Sequence, residues 1–202
     1  MTRERAFEAL EDWEKKDPQR KLELEAAMAR NGQLFCPNNI DRLTPRQFAE
    51  FLSFAGNQHW HSLQRHPEVY SDMPRLRRAL GILLDENQKV QDRLDSLTRA
   101  DSPDRIKGLR EAVLTPILMC AFPCKYAVYN SISTKALKHL GEKLQSGGTL
   151  GERYAELNHK CLQLAREMEK PLWLIDVMFS RIVHPHPNVS SLALKTRRAM
   201  AP

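Results

Sequence analysis

No apolar run in the 202 residues approaches the ~20 that a membrane-spanning helix needs, so the chain is not expected to enter a bilayer. The first residues, MTRERAFEALEDWEKK, are charged throughout and lack the apolar core of a secretory signal. The expectation is a cytoplasmic protein. Cysteine is sparse. Of the four, Cys36, Cys120, Cys124 and Cys161, only Cys120 and Cys124 lie close together. Without a second close pair, the spacing of a four-ligand zinc or iron–sulfur site is missing, and all four read as reduced structural thiols. No G-x-x-x-x-G-K-[ST] loop is present, which argues against a nucleoside triphosphatase. There is no internal repeat, and no stretch alternates apolar and polar residues as a half-buried strand does.

What is present is helical. Hydrophobic residues make up 42% and charged residues 28%, enough for a core inside a solvated surface. TRERAFEALEDWEKK and QRKLELEAAMARNG predict two charged helices split at Asp17-Pro18, with Gly32 ending the second. LTPRQFAEFLSFAGNQHW opens with Thr44 as N-cap and Pro45 at the first helical position, and Phe48, Phe51, Leu52 and Ala55 follow helical spacing. DMPRLRRALGILLDENQKVQDRLDSL predicts a helix or a pair. GLREAVLTPILMCAF, STKALKHLG, TLGERYAELNHKCLQLAREMEK and PLWLIDVMFSRIV complete an all-α fold of eight to ten helices. In TLGE, Thr149 and Glu152 have the spacing of a capping box. The expected domain is 1–183, with 184–202 as an irregular basic tail. His59 and His61 cannot share a helix face, and HPHP near the C-terminus is a poor ligand set, so no metal and no cofactor are expected.

The net charge of +6 permits a polyanionic partner without requiring one. Its distribution is more informative. In IKGLREAVLTPIL a lysine and a glycine sit in a turn before an apolar helix. Unpaired backbone N–H groups at such a start suit a phosphate. Arg105, Lys107 and Arg110 surround this turn. The alternative is a packing corner with solvated charges.

The stretch KGLREAVLTPILMCAFPCKYAVYNSISTKALKHLG resembles the helix–hairpin–helix DNA glycosylase superfamily, which carries a hairpin, an apolar helix, a short loop, an essential aspartate and a further helix in that order. FAEFLSFAGNQHW resembles the upstream helix of the same family. The likeness spans roughly residues 44–141. It extends to modified-base glycosylases that some bacteria use against phage. It implies a two-lobed helical bundle with a DNA cleft, double-stranded DNA as partner (modified phage DNA included), and a monomer. Asn130 falls at the aspartate position; a register one residue earlier puts Tyr129 there. Ala112 stands where bifunctional members have a lysine, so no Schiff base forms there. Arg110 replaces the second hairpin glycine. By the resemblance, Asn57, Gln58 and His59 fill the gap left by an extruded base, and Arg105, Lys107, Gly108, Arg110 and Lys125 hold DNA phosphates.

Cleaving a base from deoxyribose builds positive charge on the sugar, which a carboxylate stabilises. Asn130 is neutral, so it would position water or a phosphate, or another acid would serve. The candidates are Glu50, Asp176 and Glu25, with Glu23 and Glu111 beside them. Each has a plainer reading: a solvated helix face for Glu50 and Glu25, a buried cap or ion-pair partner for Asp176. A flipped base needs aromatic walls and hydrogen-bonding groups. NQHWHSLQR supplies Asn57, His59, Trp60, His61 and Arg65, and Tyr126 and Tyr129 add stacking surface. Core packing is the alternative for Trp60. The expected function is a monofunctional DNA glycosylase that flips and excises a base, modified or of phage origin, and leaves an abasic site. The rival readings are a catalytically silent DNA-binding module and an interaction subunit of a restriction or defence system.

Overall fold

The computed structural model describes residues 2–63 and 67–184. Arg65 and nearly all of the expected basic tail lie outside the described residues. Among those described there are ten α-helices, three short 3-10 helices and no strand. The α-helices are α1 (Arg3–Lys16), α2 (Pro18–Leu34), α3 (Pro45–Leu52), α4 (Phe54–Asn57), α5 (Met73–Leu84), α6 (Val90–Thr98), α7 (Glu111–Ala121), α8 (Ser131–His139), α9 (Leu150–Glu167) and α10 (Leu172–Val183). No described helix is long and apolar enough to cross a membrane.

Local chemistry sets most of the starts. Asp17 caps α2 by accepting from Arg20 N–H at 3.2 Å, with Pro18 opening the helix. Thr44 and Gln47 close a capping box on α3, as Thr149 and Glu152 do on α9. These caps satisfy backbone donors that a helix start leaves unpaired.

Two expectations about helix ends are corrected by tertiary contact. α2 does not stop at Gly32 but runs on to Leu34. A Cβ on Gly32 would sit 2.8 Å from the Cys120 carbonyl oxygen, so the glycine is there for close approach to α7, not for termination. The helix expected over 44–60 is broken at Ser53, whose backbone is extended and whose hydroxyl caps α4 by accepting from Gly56 N–H at 3.1 Å. Gly56 lies so close to the Glu50 carbonyl that a Cβ would overlap it. The chain therefore folds back on α3 rather than continuing it.

α7 is the central helix. Every residue from Val113 to Cys120 is buried, including Pro116, whose missing N–H leaves the Ala112 carbonyl without its usual helical donor. α2, α5 and α6 pack against α7, and α4 packs on α2. α1, α8 and α9 pack against α10, while α9 also packs on α6. One continuous core runs through both sets. Phe35, Phe48 and Phe51 sit at its α2–α3 end with ring centroids 4.6–6.4 Å apart, each contributing about 1.5–3 kcal/mol of burial.

Candidate functional site

The chain between α6 and α7 forms the hairpin. Arg75 on α5 holds it, donating to the carbonyls of Arg105 at 2.8 Å and Pro103 at 3.2 Å. Ile106 and Leu109 are buried and anchor the turn. Gly108 between them has φ +91, a left-handed backbone that side chains rarely adopt. A Cβ there would stand 2.9 Å from the Val69 methyl, so the turn is pressed onto the 3-10 helix Pro67–Tyr70. Lys107 and Arg110 are exposed on either side of the glycine and have no ion-pair partner among the described residues. Arg105 is half-buried. No side chain caps the start of α7 at Arg110.

Asn130 is the N-cap of α8. Its Oδ1 accepts from Ile132 N–H at 2.8 Å and Ser133 N–H at 2.9 Å, and Ser133 Oγ accepts from Asn130 N–H at 3.0 Å. The side chain is thus half-buried and its oxygen is committed to the backbone. Tyr129, just before it, is partly buried and donates its N–H to Thr115 Oγ1 at 2.9 Å.

Tyr126 is only 3% exposed. Its hydroxyl donates to Glu86 at 2.7 Å and accepts from Arg93 at 2.6 Å. Two cations approach its ring, Arg93 at 5.3 Å and Lys125 at 5.5 Å from the centroid. Stacking surface expected of Tyr126 is therefore already occupied. Lys125 ion-pairs with Glu86 instead of standing free for a phosphate. Burial raises the Glu86 carboxyl, but hydrogen bonds from Lys125 and Tyr126 and the Arg93 charge outweigh it and hold the group below its ordinary value. Arg93, fully buried, was not singled out by the sequence. The signal was available: it sits three residues after Val90, one before Leu94 and four before Leu97, on the apolar stripe of α6.

The NQHW segment forms a connected polar cluster. Asn57 is fully buried. Its amide donates to the carbonyls of Phe51 at 3.0 Å, Ser53 at 2.7 Å and Trp60 at 3.2 Å. Its Oδ1 accepts from the N–H groups of His59 at 2.8 Å and Trp60 at 2.6 Å. Gln58 takes a left-handed φ of 59 and is gripped by Arg20, which donates to both its side chain and its carbonyl. The turn so fixed aims His59 and Trp60 at α10. There Asp176 Oδ2 accepts from Trp60 Nε1–H at 2.9 Å and lies 2.8 Å from His59 Nε2. Trp60 and Asp176 are each 5% exposed. His61 stacks on Phe54 with centroids 3.7 Å apart, and burial, then Arg20 and His59, hold its imidazole below the usual histidine value. Burial, and after it the Asp176 charge, push the Cys161 thiol up.

The remaining acids stand apart from this cluster. Glu25 is exposed on α2, and Glu23 bonds Arg20 at 3.0 Å. Glu50 is exposed and lines a cleft of about 450 Å³ with Arg30, Arg42, Asn31 and Phe51. No hydrogen bond or ion pair joins Glu25 or Glu50 to Asn130 or Asp176. No group of three or more His, Cys, Asp or Glu able to hold a metal ion occurs among the described residues. Comparison of the chain with protein-family models, with curated proteins and with solved structures gave no match.

Proposed function

We propose that the protein is a monofunctional DNA glycosylase of the helix–hairpin–helix type. It grips double-stranded DNA by its backbone through the α6–α7 hairpin, turns one base out of the stack, and cleaves its N-glycosidic bond with water to leave an abasic site. The observation that carries this reading is the hairpin: a left-handed glycine pressed onto Val69, flanked by exposed Lys107 and Arg110, ahead of an α7 start that no side chain caps. An uncapped helix start beside two exposed cations offers backbone N–H groups and positive charge together, the requirement of a phosphate. α2, α5 and α6 gather on α7, and α1, α8 and α9 on α10, two helical groups that α6 and α9 join. The excised base is a modified one, of phage DNA by the resemblance.

The test is abasic-site formation on unmodified duplex, damaged-base oligonucleotides and hypermodified phage DNA, read as strand breaks after alkali. Binding is measured alongside as a function of salt. Breaks on one substrate are expected. Lys107→Ala or Arg110→Ala should each reduce the slope of log affinity against log salt by about one. Neither binding nor breaks on any duplex would refute the reading.

A catalytically silent DNA-binding module is the second reading, favoured by one observation: the Asn130 oxygen is used up in capping α8. Salt-dependent binding without breaks would decide for it.

A further inference from the structure

The acid position of the resembled family is neutral here, so the water that attacks the sugar needs its base elsewhere. Asp176 is a buried carboxylate that accepts an indole N–H and faces an imidazole, with no lysine or arginine paired to it among the described residues. Burying a carboxylate costs several kcal/mol unless it is paired, and the group placed to pair it is the His59 imidazole. A role confined to packing gives no reason for the carboxylate, because an uncharged amide oxygen could accept the same Trp60 N–H. The histidine is also held more firmly than packing alone would hold it. Asn57 takes its backbone N–H, Asp176 takes Nε2, and the Trp60 ring lies 5.0 Å from it.

Its other ring nitrogen, Nδ1, has no hydrogen-bond partner among the described residues. Nor does it appear among the buried polar atoms left unpaired. The side chain is 10% exposed, so part of the ring reaches solvent. A histidine fixed at one nitrogen by a buried carboxylate and unpaired at the other is the arrangement of an activated general base. A continuous row of packed rings links the cluster to the hairpin. Trp60 packs on Phe51, Phe51 on Phe48 and Phe48 on Tyr70, whose neighbour Val69 carries Gly108.

We propose that His59 is the catalytic base of the glycosylase and that Asp176 is its positioning residue. The inference rests on the glycosylase reading. A water held at Nδ1 attacks C1′ of the flipped nucleotide. Its oxygen forms the new C–O bond, the N-glycosidic bond breaks with its electron pair leaving on the base, and the water proton passes to Nδ1. Asp176 keeps Nε2–H as the tautomer and faces the positive charge the ring acquires. The departing base takes up a proton from solvent and the imidazolium returns its own to solvent, so the products are an abasic sugar and a neutral free base, with no cofactor consumed.

The experiment is single-turnover abasic-site formation by the full chain on whichever duplex of the panel above it cleaves. His59→Gln should lose about 100-fold or more in rate, the range of a general base, while duplex affinity stays within about twofold. His59→Gly should regain rate on addition of imidazole, which restored packing alone would not produce. Asp176→Asn should lose rate while retaining affinity. A second measurement needs no variant: carbethoxylation of the wild-type protein, located by mass spectrometry, should abolish the rate in step with His59 modification, with bound duplex protecting both. A rate in His59→Gln within about threefold of wild type, or full rate with His59 modified, overturns this inference and leaves the glycosylase reading standing. No breaks by wild type on any duplex overturns both.

Discussion

Asn57 offers the sharpest separation of two roles that its place in NQHW permits. A side chain that fills the gap left by a flipped base is spare in the free protein and matters only on DNA. The structure gives it instead five contacts within its own loop. Asn57→Ala leaves the N–H groups of His59 and Trp60 without this acceptor and takes a donor from the carbonyls of Phe51, Ser53 and Trp60, of which Ser53 keeps the N–H groups of Gly56 and residue 57. Trp60 is buried, and an unpaired buried donor costs about 1–3 kcal/mol. Counting the two N–H groups and allowing for some repair by water at the less buried His59, the expected loss is about 2–4 kcal/mol. For a chain of this size that lowers Tm by roughly 5–15 °C, at about 2–4 °C per kcal/mol. Thermal unfolding of the DNA-free protein by circular dichroism reads it directly. Asn57→Asp should be no better. It keeps the acceptor, but turns a carboxylate oxygen toward the carbonyls of Phe51, Ser53 and Trp60. An Asn57→Ala protein that melts within about 2 °C of wild type would refute the reasoning. The side chain would then belong to DNA rather than to the loop.

The other perturbations test separate joints. Gly108→Ala combines a left-handed φ with a methyl group 2.9 Å from Val69 Cγ2 and should cost about 1–3 kcal/mol, seen as a lowered denaturant midpoint, with duplex affinity falling as well. Asn130→Ala removes the cap of α8 and should cost about 1 kcal/mol in the same assay. Glu142 joins Arg3 to Lys160, and the Lys160 hydrogen bond outweighs burial, with Arg3 adding to it, so its carboxyl is held below the usual 4.5. A depressed carboxyl contributes stability that is complete above 4.5 and drains as pH falls through the lowered folded value. Denaturant midpoints measured down through that range should fall less steeply for Glu142→Gln than for wild type.

The elements whose causes are local were legible. Thr44 and Thr149 mark helix starts because a cap is decided within four residues, Asp17-Pro18 marks the break between α1 and α2, and the α7 stretch reads as buried because it is apolar all round. Gly32 and Gly56 were not legible, since each answers to backbone that arrives from another helix or turn: the Cys120 carbonyl in one case, the Glu50 carbonyl in the other. The site divides the same way. Residue types in NQHW and the acid in PLWLIDVMF stand out singly, but their 117-residue separation hides that His59 and Asp176 meet. Arg20, which fixes Gln58 from α2, carries no signal that distinguishes it from the other charges of its helix.

Asn130 finally separates stability from chemistry. An aspartate caps a helix as well as an asparagine does, and its charge suits the positive end of the helix dipole. Nothing in the capping of α8 therefore selects asparagine over aspartate. The buried carboxylate that the fold does carry stands at Asp176, where it costs more. If His59 with Asp176 serves as the base, Asn130→Asp should leave the protein as stable as wild type, or slightly more so, and should not raise the rate of base release, since the attacking water is already served. If position 130 is where the acid acts, the same substitution supplies the missing charge beside the sugar and the rate should rise by an order of magnitude or more, about what a well-placed carboxylate gives. Equal stability with an unchanged rate fits the first arrangement. A gain in rate sinks it.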